Sequence, residues 1–79
     1  MKVLLTIPVA VYHQLLSLCE LSSQEYAILK NGVVRGIDDD EEKVVNIFCD
    51  ADRGRLILAW ATQVDPAAAS QITVDTDPT

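Results

Sequence analysis

The chain has 79 residues, of which 49% are hydrophobic, and twelve acidic against six basic side chains give a formal charge of −6. That length makes one domain, near the size at which a single core only just suffices, so the apolar share favours self-association. The acidic balance disfavours nucleic acid and anionic membranes as partners, because affinity for polyanions comes largely from Lys and Arg neutralising phosphates.

Residues 2–7 (Lys-Val-Leu-Leu-Thr-Ile) read as a strand. The nearly continuous apolar run predicts a central strand covered on both faces. Pro8 closes it and suits the first position of a helix. Residues 9–21 carry the clearest amphipathic pattern of the chain. Val9, Tyr12, Leu15, Leu16 and Cys19 share one face, with His13, Gln14, Ser17 and Glu20 opposite.

Ser22-Ser23-Gln24-Glu25 is a capping-box pattern, in which a serine satisfies one N–H and the glutamate reaches back. It predicts a second short helix over 23–31, ending at Gly32 in the left-handed C′ position. Asn31-Gly32 is also a strong hairpin signal, so a hairpin joining 26–29 to 33–34 is the alternative. Residues 33–37 then read as a strand interrupted by Gly36. The acidic run Asp38-Asp39-Asp40-Glu41-Glu42 reads as the solvated loop of a hairpin, since five like charges repel one another.

Residues 43–64 hold the only Phe, the only Trp and the densest apolar run. Residues 43–49 are rich in β-formers and predict a strand. Beyond them Asp50 fits a helix N-cap. At 100° per residue, Leu56, Ile57, Trp60, Ala61 and Val64 form an apolar stripe, with Asp52, Arg55, Thr62 and Gln63 on the other side. Leu58 and Ala59 fall outside the stripe. Gly54 costs such a helix about 1 kcal/mol against Ala, and a hairpin turning at Asp52-Arg53-Gly54 is the alternative. Asp65-Pro66 ends the segment. Residues 67–70 read as a loop or half-turn, 71–74 as a last strand and 75–79 as a frayed tail.

The element order, βαββαβ with a short second piece after the first helix, predicts an α+β, ferredoxin-like two-layer sandwich. A single domain over 1–74 would carry an antiparallel sheet with helices on one face. Because the strands are apolar at nearly every position, the helix-free face is expected to be largely hydrophobic too. A homodimer would cover it.

Candidate chemistry is sparse. His13 lies on a polar helix face with Ser17 one turn on and Glu20 beyond, but a nucleophile pair also needs a group to orient the base. The acidic run lacks the alternate spacing of a calcium loop. Asp50-Ala51-Asp52 begins that spacing, yet Arg55 stands where the glycine is required. Gly32, Gly36 and Gly54 form no phosphate-binding loop. Trp60 and Phe48 read as core rather than as a stacking pair. Cys19 and Cys49, both among apolar neighbours, read as buried reduced thiols. The apolar run before Pro8 is too short for a signal peptide and no stretch approaches a membrane span, so a cytoplasmic protein is expected.

Residues 2–8, the helix after them and the Ser22-x-x-Glu25-Tyr26 opening of the next resemble the start of a ribbon-helix-helix repressor. The resemblance implies a ribbon paired across a dimer, with outward polar residues reading the major groove. It covers less than half of the chain, and the ribbon offers only Lys2 and Thr6 as readers.

The functional expectation is a small, acidic, non-catalytic protein-interaction module, homodimeric, with no catalytic residue, cofactor or metal and no nucleic-acid or membrane partner. A small-molecule-binding regulatory domain is one alternative. A ribbon-helix-helix-like DNA-binding regulator or an acidic nucleic-acid mimic is the other.

Overall fold

The structure, a computed structural model, describes residues 1–36 and 43–76. Eight elements follow in order: β1 (Lys2–Pro8), α1 (Val9–Leu18), α2 (Gln24–Leu29), β2 (Val33–Gly36), β3 (Lys43–Asp50), α3 (Ala51–Val64), α4 (Pro66–Ala69) and β4 (Thr73–Thr76). The strands form one antiparallel sheet in the order β2-β3-β1-β4, and the helices pack on it. The fold is therefore α+β. Its element order is βααββααβ: the short second piece after α1 was expected, but α4 divides the second connection as well, so βαββαβ is not matched exactly.

The registers decide which residues face the helices. Val3 pairs with Cys49, Leu5 with Ile47 and Ile7 with Val45, and all six are buried. Side chains alternate across a strand, so this set forms one face. Against it lie Val11, Tyr12 and Leu15 of α1, Ile28 and Leu29 of α2, Ile57 and Ala61 of α3, and Ala68 and Ala69 of α4. Val11 thus joins the stripe expected on α1, while Val9, Leu16 and Cys19 are only partly buried.

Both open choices between helix and hairpin resolve as helices. In α2 the N-cap is Ser23, one residue later than the box predicted, and its hydroxyl accepts the Tyr26 N–H at 3.1 Å. Gly32 does not take the left-handed conformation expected of it. Space requires it instead: a Cβ there would stand 2.4 Å from Val45 Cγ1 and 3.2 Å from the Leu29 carbonyl oxygen.

Gly54 is no turn but a buried position of α3, where a Cβ would come within 2.8 Å of Val3 Cγ2. Its missing side chain lets α3 lie close on β1, which offsets its poor helix propensity. Asp50 occupies the N-cap position of α3 without a side-chain cap bond. Its carboxylate is turned to the Lys2 ammonium, 3.1 Å away.

Residues 67–70 are not merely a loop, since Pro66 opens α4 as its first helical residue and Asp65 Oδ1 accepts the Ala68 N–H at 3.2 Å. The other oxygen of the same carboxylate accepts from Gln14 of α1, joining the first helix to the end of the third. The last strand starts and ends two residues later than expected, which places Asp75 opposite Leu4 and Thr76 opposite Val3.

Candidate functional site

The residues of the sheet that alternate with the core set point away from the helices. From β1 and β3 these are Leu4, Thr6, Val44, Asn46 and Phe48; β2 adds Val33 and Arg35, and β4 adds Thr73 and Asp75. Phe48 is 58% exposed and Val33 55%, high values for large apolar side chains in a sheet. An open depression between them is lined by Leu4, Asn31, Val33, Arg35, Asn46 and Phe48.

The expectation of a largely hydrophobic open face needs correction. Its middle row is polar over three of the four strands: Asn46, Thr6 and Thr73 lie side by side, with Val33 at the β2 end. Asn46 Nδ2 donates to Thr6 Oγ1 at 3.0 Å between the two central strands. Apolar side chains flank that row, with Phe48 and Leu4 on one side and Val44 on the other.

Among the described residues, charge on this face balances. Lys2 and Asp50 form their ion pair at one end, while Arg35 on β2 and Asp75 on β4 stand at diagonally opposite corners. The Lys2 side chain, by hydrogen bond and charge, holds the Asp50 carboxyl below its ordinary range. So, among the described residues, a chain carrying −6 presents two cations and two anions here.

The other residues singled out in the sequence do not converge. His13 is exposed and meets Tyr12 edge-on, with ring centroids 5.8 Å apart. Ser17 donates its hydroxyl proton to the Gln14 carbonyl at 2.7 Å rather than to His13. Asp52 pairs with Arg55 one turn on. The acidic run at 38–42 lies outside the described residues. Among the described residues, no three of His, Cys, Asp and Glu are grouped so as to hold a metal ion.

Phe48 and Trp60 lie on opposite sides of the sheet: Trp60 packs partly buried against the core from α3, and Phe48 belongs to the open face. Cys19 and Cys49 are free thiols, the first half-buried and the second buried; burial raises the pKa of each, which makes them poor nucleophiles.

β1 is hydrogen-bonded along both edges, to β3 and to β4. It has no free edge to form the intermolecular ribbon that the ribbon-helix-helix resemblance implies. No described helix is long and apolar enough to cross a membrane. Comparison of the chain with protein-family models, with curated proteins and with solved structures finds no match.

Proposed function

We propose that this chain is a small cytoplasmic protein-interaction module without catalytic activity, which docks through the open face of its sheet and takes a second copy of itself as partner. The proposal reads the fold as a ferredoxin-like sandwich whose two crossovers each carry an additional short helix. Antiparallel neighbours in the order β2-β3-β1-β4 support that reading.

One observation carries the function: Phe48 and Val33 stand mostly exposed beside Leu4 and Val44 on a face that no described helix covers. Exposed apolar side chains of this size, gathered on one face and rimmed by polar groups, mark interaction sites more often than idle surface.

The test is a mass measurement. Light scattering at about 100 μM should return twice the monomer mass of 8.7 kDa. Phe48→Asp should return the monomer with its circular dichroism unchanged. A wild-type monomer at that concentration overturns self-association. Dissociation that Phe48→Asp does not cause removes this face from it.

A further inference from the structure

We infer that the partner copy lies crosswise on the open face, its strands near 90° to those of the first, on a twofold axis over the Asn46–Thr6 pair. The inference rests on self-association through this face and specifies its geometry. It begins from the two corner charges. Arg35 shares a row with Val44, and Asp75 shares a row with Leu4 and Phe48, so the two stand at opposite ends of a diagonal. Three strand spacings across and four residues along make each leg of that diagonal about 14 Å, and its length about 20 Å. Its midpoint falls between β3 and β1 in the row of Asn46 and Thr6.

A twofold axis in the plane of contact exchanges the ends of that diagonal only when it runs perpendicular to the diagonal through its midpoint. Because the legs are equal, the axis bisects the angle between the strand direction and its normal. The partner's strands then lie at right angles, which is one of the two preferred ways for sheets to stack. Arg35 of each copy meets Asp75 of the other, twice over. The same operation lays Val33 of one copy over the gap between Phe48 and Leu4 of the partner. At the centre the two Asn46–Thr6 pairs cross, where each asparagine keeps one N–H and its carbonyl oxygen to bond across the axis.

Strand twist favours this arrangement. Twisted sheets packed crosswise approach along one diagonal and splay along the other. With a right-handed crossover from β1 to β2, the corners of Arg35 and Asp75 are the pair that curls towards the partner. An orthogonal contact of this area, roughly 400 Å² per copy in projection, is about half the standard interface and belongs with weak, transient associations.

Charge reversal tests the geometry. Arg35→Glu places a glutamate opposite Asp75, and Asp75→Arg places an arginine opposite Arg35, so each variant alone should dimerise about tenfold more weakly than wild type. Mixed in equal amounts, the two should form a heterodimer close to wild-type affinity, resolved by native mass spectrometry. The double variant should again pair with itself. Both positions are exposed, and circular dichroism checks that each variant is folded. A wild-type dimer whose single reversals cost nothing, or are not rescued by mixing, overturns the crosswise geometry. If Phe48→Asp still dissociates that dimer, the open face remains the interface. A wild-type monomer overturns both readings.

Discussion

Tyr12 in α1 donates its hydroxyl proton to the main-chain carbonyl of Leu29, at the end of α2, over 2.5 Å. The same carbonyl accepts the Gly32 N–H at 3.0 Å. One buried oxygen therefore joins the first helix, the second helix and the entry to β2. The tyrosine ring fills the space between α1 and the sheet, and its Cε1 would lie 3.2 Å from a Cβ at Gly32.

Tyr12→Phe keeps the ring and removes that bond, leaving the carbonyl with one partner. A loss of about 1 kcal/mol is expected, which lowers Tm by about 4–8 °C in a domain of this size.

Tyr12 also makes stability depend on alkaline pH. Burial first, and the nearby Tyr26 second, raise its pKa above the ordinary 10.0. The folded state then holds this proton when the unfolded chain has already released it. The contribution is complete below the unfolded value and disappears as pH rises through the folded one. Urea melts from pH 9 upward should show wild type losing stability to a greater degree than Tyr12→Phe. Parallel curves would show that the hydroxyl titrates alike in both states.

The two close-packed glycines should respond differently to alanine. At Gly32 the added methyl meets Val45 at 2.4 Å with backbone on another side, and overpacking of this kind costs about 1–3 kcal/mol. At Gly54 the methyl meets only a side-chain terminus, Val3 Cγ2 at 2.8 Å. Helix propensity returns about 1 kcal/mol there. Gly32→Ala should therefore melt well below Gly54→Ala, and the opposite order would remove the steric account of Gly32.

Val44 and Val45 are neighbours in β3 with opposite fates. Val45 is fully buried, whereas Val44 lies half-buried on the open face. Val45→Asp buries an unpaired carboxylate among apolar groups and should abolish the cooperative thermal transition. Val44→Asp should retain it within about 1 kcal/mol while weakening self-association. Equal effects of the two substitutions on folding would contradict the register of β3.

Duplex DNA should show no binding in gel shifts at micromolar protein and about 150 mM salt, because few cationic contacts are available to release counterions. Sequence-specific retardation would reopen the DNA-binding alternative.

Much of this fold was legible because its signals are local. The 3.6-residue stripe of α1, the serine cap of α2 and the proline that stops α3 each act within a few positions. Even α4 carried its signal, Asp65 as cap with Pro66 at the first helical position, although residues 67–70 read as a loop or half-turn. The open face was less readable. Residues 44, 45, 47, 48 and 49 are all apolar, so composition alone does not say which alternate set is buried. Pairing with β1 decides it, and puts the only phenylalanine outside. Gly32 was misread for a related reason: its constraint comes from Val45 on a strand distant in sequence, not from its own backbone angles.

The position of β1 has a consequence for how the molecule is made. It is the earliest strand in the chain, yet its two hydrogen-bonding partners are β3 and β4, and Val3 pairs with Thr76 near the far end. β1 therefore has no strand to join until β3 reaches it, with Val3 meeting Cys49 and Ile7 meeting Val45. Contacts so distant in sequence place refolding nearer the millisecond-to-second range than the microseconds of a helical bundle. Until β4 arrives, one edge of β1 is bare, and that interval is when this protein is most open to capture by chaperones or to aggregation.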